Sequence, residues 1–367
     1  MNLAVVYGGK SCEHDISVIT GKLVAANLAK KHKVTEIYIS KTGQWYLADA
    51  KADVADYRVE SSLRLKPLTI RAGDRRLYVK KLGRWKSVGV PDCVLLCLHG
   101  LNGEDGSVQG LMELADLPYT GCGVTASGVA MDKVVTKNLL RALRLRHRKG
   151  TFLDKGDTSL RAVKALGFPL IVKPANLGSS IGIAVAHNEA ELKKALDVAF
   201  RFDVRVLVEQ ALTDFYEVNC AVLHDGTSLK VSDLERPLSA GEILSFHDKY
   251  LSEVKTKRRE FPFHCAMEEE MKASAAKIYR ALHASGVIRI DYLIDNKTGL
   301  WYVNEINTIP GSLAFYLWEG TYSFEALLEI LIRTAIANHR QKGERQYAFA
   351  SEVLTCPKGR KGKVSPN

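Results

Sequence analysis

Five consecutive apolar residues, Leu3 to Tyr7, stop abruptly at Gly8-Gly9. A secretory leader needs an apolar core of about 7–15 residues behind a basic start, so this run reads as a buried strand. Ile16, Ile19, Leu23 and Val24 then recur at helical spacing. A second strand is expected over residues 34–40. Another, over residues 92–98, runs into His99-Gly100. Strand, glycine turn, helix and strand in this order predict a parallel, doubly wound sheet. Residues 41–90 read as β-rich and irregular, with short strands at 44–47 and 76–79. No apolar run approaches the roughly 20 residues of a membrane span, and no membrane partner is expected.

Around residues 121–128 the chain changes character. The pattern beyond predicts a helix over residues 129–143, strands at 168–174, 181–186 and 204–209, and a helix over 189–200. Strands at 217–223, 286–295 and 300–307 and a final helix over 324–338 complete it. The expected division is an amino-terminal α/β domain (1–121), two further segments (122–209 and 210–340) and a basic tail (341–367). The seven cysteines are scattered without a Cys-x-x-Cys pair, which excludes a zinc framework and fits reduced thiols. The net charge of +11 is partly local: residues 340–367 hold seven Lys/Arg against two Glu, and residues 137–149 hold six Lys/Arg and no acid. Neither cluster interleaves aromatic residues as single-stranded nucleic-acid platforms do. They read as a solvated tail and a helix face, with no nucleic-acid partner.

Several short segments can carry chemistry. Gly8-Gly9-Lys10-Ser11 is not a P-loop, because Ala4 stands where that motif needs glycine. The turn still presents backbone N–H groups to an anion. Glu13, in the first helical turn, either complements the helix dipole or holds a substrate ammonium. Lys173 to Gly182 (KPANLGSSIG) is a glycine- and serine-rich hairpin whose donors suit a triphosphate. Lys173 ends an apolar strand and would need an anion to be buried; an ordinary flexible hairpin is the alternative. Side chains alternate along strands, so Arg289 and Asp291 share one face of the strand over 287–294. Glu305 and Asn307 share a face of the next. Pairing of these strands about Asp295 to Gly299 would bring Asp291 and Glu305 together, with Arg289 beside them. Such hard oxygen donors suit magnesium bound to nucleotide phosphates; a solvated face with a salt bridge is the alternative. His99 is expected at the cleft edge, at the end of a strand of the doubly wound sheet.

The segments GGKSCEHDIS, HGLNGEDGSVQGLMELADLPYTGCGV, MDKVVTK, VKPANLGSSIG, RIDYLID and NEINTIPG occur in this order. Together they resemble the D-alanine–D-alanine ligase family of the ATP-grasp superfamily, over about residues 3 to 335. The resemblance implies a doubly wound domain followed by a two-part ATP-grasp fold that closes on ATP. It implies ligation of two D-alanines through an acyl phosphate, for peptidoglycan precursors, in a cytoplasmic homodimer. A sister ligase with another acceptor and a nucleotide-binding protein without ligase activity are the alternatives.

By the same resemblance, Lys133, Lys173 and Lys249 hold ATP phosphates, and Ser179 and Ser180 lie in the loop over them. Glu209 begins the adenine-binding connection and Glu217 meets the ribose. Asp291, Glu305 and Asn307 bind two magnesium ions, for which manganese can substitute. Arg289 and the amides near Gly311 steady the oxyanion. Glu13 holds the first substrate's ammonium, linked through Ser179 and Tyr250, with His99 nearby. The sequence departs from the family at Tyr316, where the count places a serine that holds the second substrate's carboxylate. It departs again in the Ser-Phe-His-Asp stretch before Lys249.

Overall fold

The computed structural model describes residues 1–237, 259–260, 265–346 and 348. Three sheets follow one another along the chain. The first contains β1 (Asn2–Gly8), β2 (Lys33–Ile39), β3 (Trp45–Leu47), β4 (Lys66–Arg71), β5 (Asp74–Lys81), β6 (Arg84–Gly89) and β7 (Cys93–Leu96). Only β2, β1 and β7 are parallel. The β-rich segment extends them as an antiparallel meander, in the order β6-β5-β4-β3-β2-β1-β7. The parallel part is thus three strands wide. β4 and β6 are strands that the periodicity did not single out.

Helix α1 (His14–Leu28) follows the glycine turn as expected, but only half of its apolar stripe is core. Ile16 and Val24 are buried, whereas Ile19 and Leu23 are exposed. Helix α2 (Ser107–Leu114) follows the loop that contains His99 and Glu104. The helix expected over residues 129–143 is two helices, α3 (Val124–Met131) and α4 (Lys133–Ala142). Asp132 separates them. Its backbone is extended and its carboxylate accepts from the N–H groups of Val134 and Val135. Those donors have no intrahelical partner, so the cap fixes where α4 begins and sets Lys133 at its first position.

The second sheet, β10-β9-β11-β8, is antiparallel. It is built from β8 (Gly150–Asp154), β9 (Leu170–Pro174), β10 (Ala184–Ala186) and β11 (Arg205–Gln210). The short α5 (Arg161–Lys164) and α6 (Glu189–Ala199) pack their Val163, Leu192 and Ala195 beneath it. β9 and β10 form the expected hairpin, with Ala184 opposite Val172. β10 starts three residues later than the apolar run suggests.

The third sheet has β12 (Phe215–His224), β13 (Leu229–Val231), β14 (Glu235–Arg236), β15 (Arg259–Glu260), β16 (Val287–Asp295) and β17 (Trp301–Asn307). Ile288, Ile290, Tyr292 and Ile294 point into a core that also holds Met271, Ala275 and Ile278 of α7 (Cys265–Ala281). A left-handed run at Ser312, Leu313 and Ala314 (φ 50°, 54° and 51°) leads to α8 (Phe324–Gly343). That helix returns to pack Leu327, Leu328 and Leu331 into the core of the first sheet. This helix therefore locks the first and third sheets together.

The cap at Asp132 gives a direct test. Asp132→Ala should lower stability by about 1 kcal/mol. The urea midpoint should fall with an unchanged slope.

Candidate active site

The β16–β17 ladder builds the floor of the site. Its pairing starts with Ile294 opposite Trp301, slips by one residue between Asp291 and Tyr292, and continues with Asp291 opposite Glu305 and Arg289 opposite Asn307. The slip is a β-bulge at Asn304. The Arg289 guanidinium donates to both oxygens of Asp291, from Nε at 2.7 Å and from Nη2 at 2.8 Å. Its Nη1 donates to Tyr316 Oη at 3.1 Å. Asn307 Nδ2 donates to Asp291 Oδ2 at 3.0 Å. Tyr316 thus faces the charged cluster and not the apolar core, and burial raises its phenol pKa.

The hairpin between β9 and β10 forms the opposite wall. Lys173 is buried, but the anion it requires is supplied by the chain itself. Its Nζ lies 3.0 Å from Glu209 Oε2 and donates to the bulged Asn304 Oδ1 at 3.1 Å. Lys137, one turn along α4 from Lys133, holds the other Glu209 oxygen and donates to the Arg148 carbonyl at 3.1 Å. Burial alone would raise the Glu209 carboxyl pKa. The ammonium groups of Lys173 and Lys137 overcome it and leave the group at about 2. Lys133 Nζ donates to the Leu177 carbonyl at 2.5 Å and lies 3.5 Å from Glu305 Oε1. A cleft between the two walls is lined by Lys133, Lys173, Ser180, Phe215, Glu217 and Leu293.

Glu13 sits where the first and second sheets meet. Ser179 Oγ donates to its Oε1 across the cleft. Ser179 and Ser180 both take left-handed φ, 55° and 58°, a conformation that non-glycine residues adopt at some cost. A Cβ at Gly100 or at Gly178 would come within 2.6 Å of Glu13 Oε2, so these glycines leave room for the carboxylate. His99 is buried and lines a pocket at the strand ends of the first sheet, with Gly8, Gly9 and Lys10. Its Nε2 lies 3.0 Å from Thr20 Oγ1, which in turn accepts from the Ser312 N–H at 3.3 Å. Burial, together with the Arg289 charge, lowers the His99 pKa to about 4. Gly311 opens the turn that carries Ser312 and Tyr316. Lys249 and Tyr250 lie outside the described residues.

Sequence reasoning left out Glu104, Lys137 and Asn304. Glu104 lies in HGLNGEDG, yet its carboxylate spans two segments, accepting at 2.9 Å from the Gly100 N–H and at 2.9 Å from the Ile309 N–H. Burial and the nearby Glu13 charge raise its pKa to about 8. Lys137 follows Lys133 at a helical turn's spacing, which could have placed the two on one face.

Among the described residues, no three His, Cys, Asp or Glu side chains are grouped to hold a metal on their own. The donor set does suit magnesium. That ion takes one or two carboxylates and completes its shell with water and phosphate oxygens, and Asp291 and Glu305 are opposed on the ladder with Asn307 beside them.

Two α+β sheets clasping a cleft with lysines on one wall and carboxylates on the other define an ATP-grasp fold. A family model described as D-ala D-ala ligase N-terminus matches residues 2–122, and one described as D-ala D-ala ligase C-terminus matches residues 143–333. The chain is 34% identical to the D-alanine–D-alanine ligase of Thermosipho africanus, over 96% of this chain and 98% of that one. It is 35% identical to that of a Thermoanaerobacter species, over 93% and 98%. Among solved structures, the Coxiella burnetii D-alanine-D-alanine ligase superposes with a TM-score of 0.79 at 30% identity, covering 94% of this chain and 96% of that one. The VanG D-Ala:D-Ser ligase of Enterococcus faecalis does so with 0.75 at 27% identity, covering 91% and 99%. The chain belongs to the D-alanine–D-alanine ligase family.

The buried lysine pair predicts an acid-dependent stability. The Glu209 carboxyl stands below its ordinary value of 4.5 in the folded protein. Its stabilising charge is therefore fully present above pH 4.5 and lost as pH falls toward 2. Glu209→Gln should cost about 3–5 kcal/mol at pH 7, because two buried ammonium groups lose their counter-charge. The decline of stability between pH 4.5 and 2 should be shallower in that variant, as measured by chemical denaturation.

Proposed function

We propose that this protein joins two D-alanines at the expense of ATP, releasing ADP and phosphate, for peptidoglycan precursor synthesis. The observation that carries this reading is the cleft itself. Lys133 and Lys173 face Asp291, Glu305 and Asn307 on the bulged ladder, and Glu13 and Ser179 close one end.

In the first step a carboxylate oxygen of D-alanine attacks the γ-phosphorus of ATP, the bond to the bridging oxygen breaks, and ADP leaves. In the second step the amine of the other D-alanine attacks the acyl carbon, the bond from that carbon to the phosphate oxygen breaks, phosphate leaves, and the nitrogen's proton passes to the departing phosphate or to solvent. Phosphoryl transfer asks mainly for positioning and charge neutralisation. Lys133, Lys173 and Lys249 supply positive charge to the phosphates, under the loop bearing Ser179 and Ser180. The base lies toward Glu209 and Phe215, with Glu217 at the ribose. Asp291, Glu305 and Asn307 would hold magnesium, which when bound neutralises phosphate charge. Glu13, backed by Ser179 and Tyr250, takes the first ammonium, and neutral His99 fixes the turn at Ser312 through Thr20. Arg289 and the amides near Gly311 receive the oxyanion. Residues 1–121 form the substrate domain, and residues 122–209 and 210–340 are the halves of the clasp. We further propose a cytoplasmic homodimer.

A second reading concerns the acceptor alone. Tyr316 directs its hydroxyl to Arg289 where the family's count places a small hydroxyl residue. D-alanine would then share the second subsite with, or yield it to, another amino acid. Phosphate release and product analysis with D-alanine alone, against D-alanine with a panel of amino acids, test both readings. Absence of any D-alanine-dependent phosphate release would sink the first.

Arg289→Ala should lower kcat by roughly 10²–10³ and change the KM for ATP little. A change confined to KM would assign Arg289 to binding. Tyr316→Ser should improve kcat/KM for D-alanine as acceptor about tenfold, the worth of one polar contact, at constant ATP affinity. Unchanged acceptor kinetics would remove Tyr316 from the subsite.

A further inference from the structure

A third basic segment lies apart from the tail and from the helix around residue 140. Residues 64–90, the meander β4–β6, hold nine Lys and Arg against a single acid, Asp74. All nine cations are exposed. β6 is an edge strand with every residue exposed, so its backbone and both of its faces meet solvent.

The charges gather at one end. Leu68 pairs with Val79, and Lys81 pairs with Arg84. The start of β4, the end of β5 and the start of β6 therefore lie together, bringing Arg64, Lys66, Lys80, Lys81, Arg84 and Lys86 around the β5–β6 turn. At the centre of this ring stands Leu82, 99% exposed, with the half-exposed Trp85 beside it. The other end of the meander is anchored, since Gly73 donates to the Leu114 carbonyl at the end of α2. Strand directions put the Leu82 turn at the end of the sheet away from Gly8 and Gly9. A partner seated there leaves the cleft open.

We propose that the β5–β6 turn docks on the surface of an anionic lipid bilayer. Lys and Arg near such a surface are attracted to its headgroups. Their long stems let the charges stay at headgroup level while neighbouring apolar groups go deeper. An exposed leucine at the tip, a tryptophan behind it and a ring of cations around both match the order of polarity across a bilayer interface. A nucleic acid would satisfy the charge but not the aliphatic tip, and pairing of two copies through β6 would oppose like charges across the ladder. The association is peripheral, because no described helix is long and apolar enough to cross a membrane.

The test uses the full chain and sedimentation with phosphatidylcholine vesicles containing roughly one phosphatidylglycerol in three. Binding should exceed that to pure phosphatidylcholine by about tenfold or more and weaken with salt. Lys80→Glu, Lys81→Glu, Arg84→Glu and Lys86→Glu combined should lose at least about tenfold. Leu82→Ser keeps the charge and sits at an exposed turn, so the fold does not depend on it. It should still lose about threefold or more, while D-alanine-dependent phosphate release stays unchanged. A blue shift of emission on binding, present in the wild type and absent in Trp85→Phe, would place the tip in lipid. Undiminished vesicle binding by the fourfold variant, equal binding to neutral vesicles, or binding to single-stranded RNA through this surface with none to vesicles would each overturn the proposal. So would a dimer in solution that Leu82→Asp dissociates.

Discussion

One extra residue in a β-ladder sets the chemistry of the cleft. If β17 ran without interruption from the pair Ile294–Trp301, Asp291 would face Asn304, and Glu305 would point into the core beside Ile290. The bulge at Asn304 shifts the register by one, which exchanges the faces of everything beyond it. Glu305 and Asn307 thereby move to the side of Asp291, and Asn304 turns to Lys173. The opposite face stays apolar and is sealed by α7. A single strand pair thus carries both the core of the carboxyl-terminal half and the acidic wall of the cleft.

The acidic wall could be foreseen in part. Within each strand the alternation of Ile288, Ile290 and Tyr292 with Arg289 and Asp291 is plain, because a half-buried strand must sort its side chains at period two. The register between the strands is not plain. Asn304 looks like any other polar strand residue until its partner is known. Lys173 was similarly half legible. An ammonium ending an apolar strand demands a counter-charge, but nothing local indicates that Glu209 provides it and shares it with Lys137, since the three come from different elements.

Other features were hidden by competing signals. The apolar stripe from Val129 to Leu143 reads as one helix, and Asp132 reads as one polar position within it. Its capping geometry shows only when the backbone is extended there. Ile19 and Leu23 fit the helical period yet face outward. The charge of the meander escaped because strands alternate their faces. Its lysines and arginines are interleaved with Leu68, Leu77 and Val79, which are core, and never form the unbroken run that makes the tail conspicuous.

The hydrogen bond from Ser179 to Glu13 has a kinetic consequence. It ties the loop over the second sheet to the first helix, across the mouth of the cleft, while Lys133 grips the same loop at Leu177. Any movement of the loop away from the first helix must break both ties, so capture that depends on loop movement is an opening event followed by occupation. A capture rate limited in this way levels off as solute concentration rises, at a ceiling set by the opening rate of the loop rather than by diffusion.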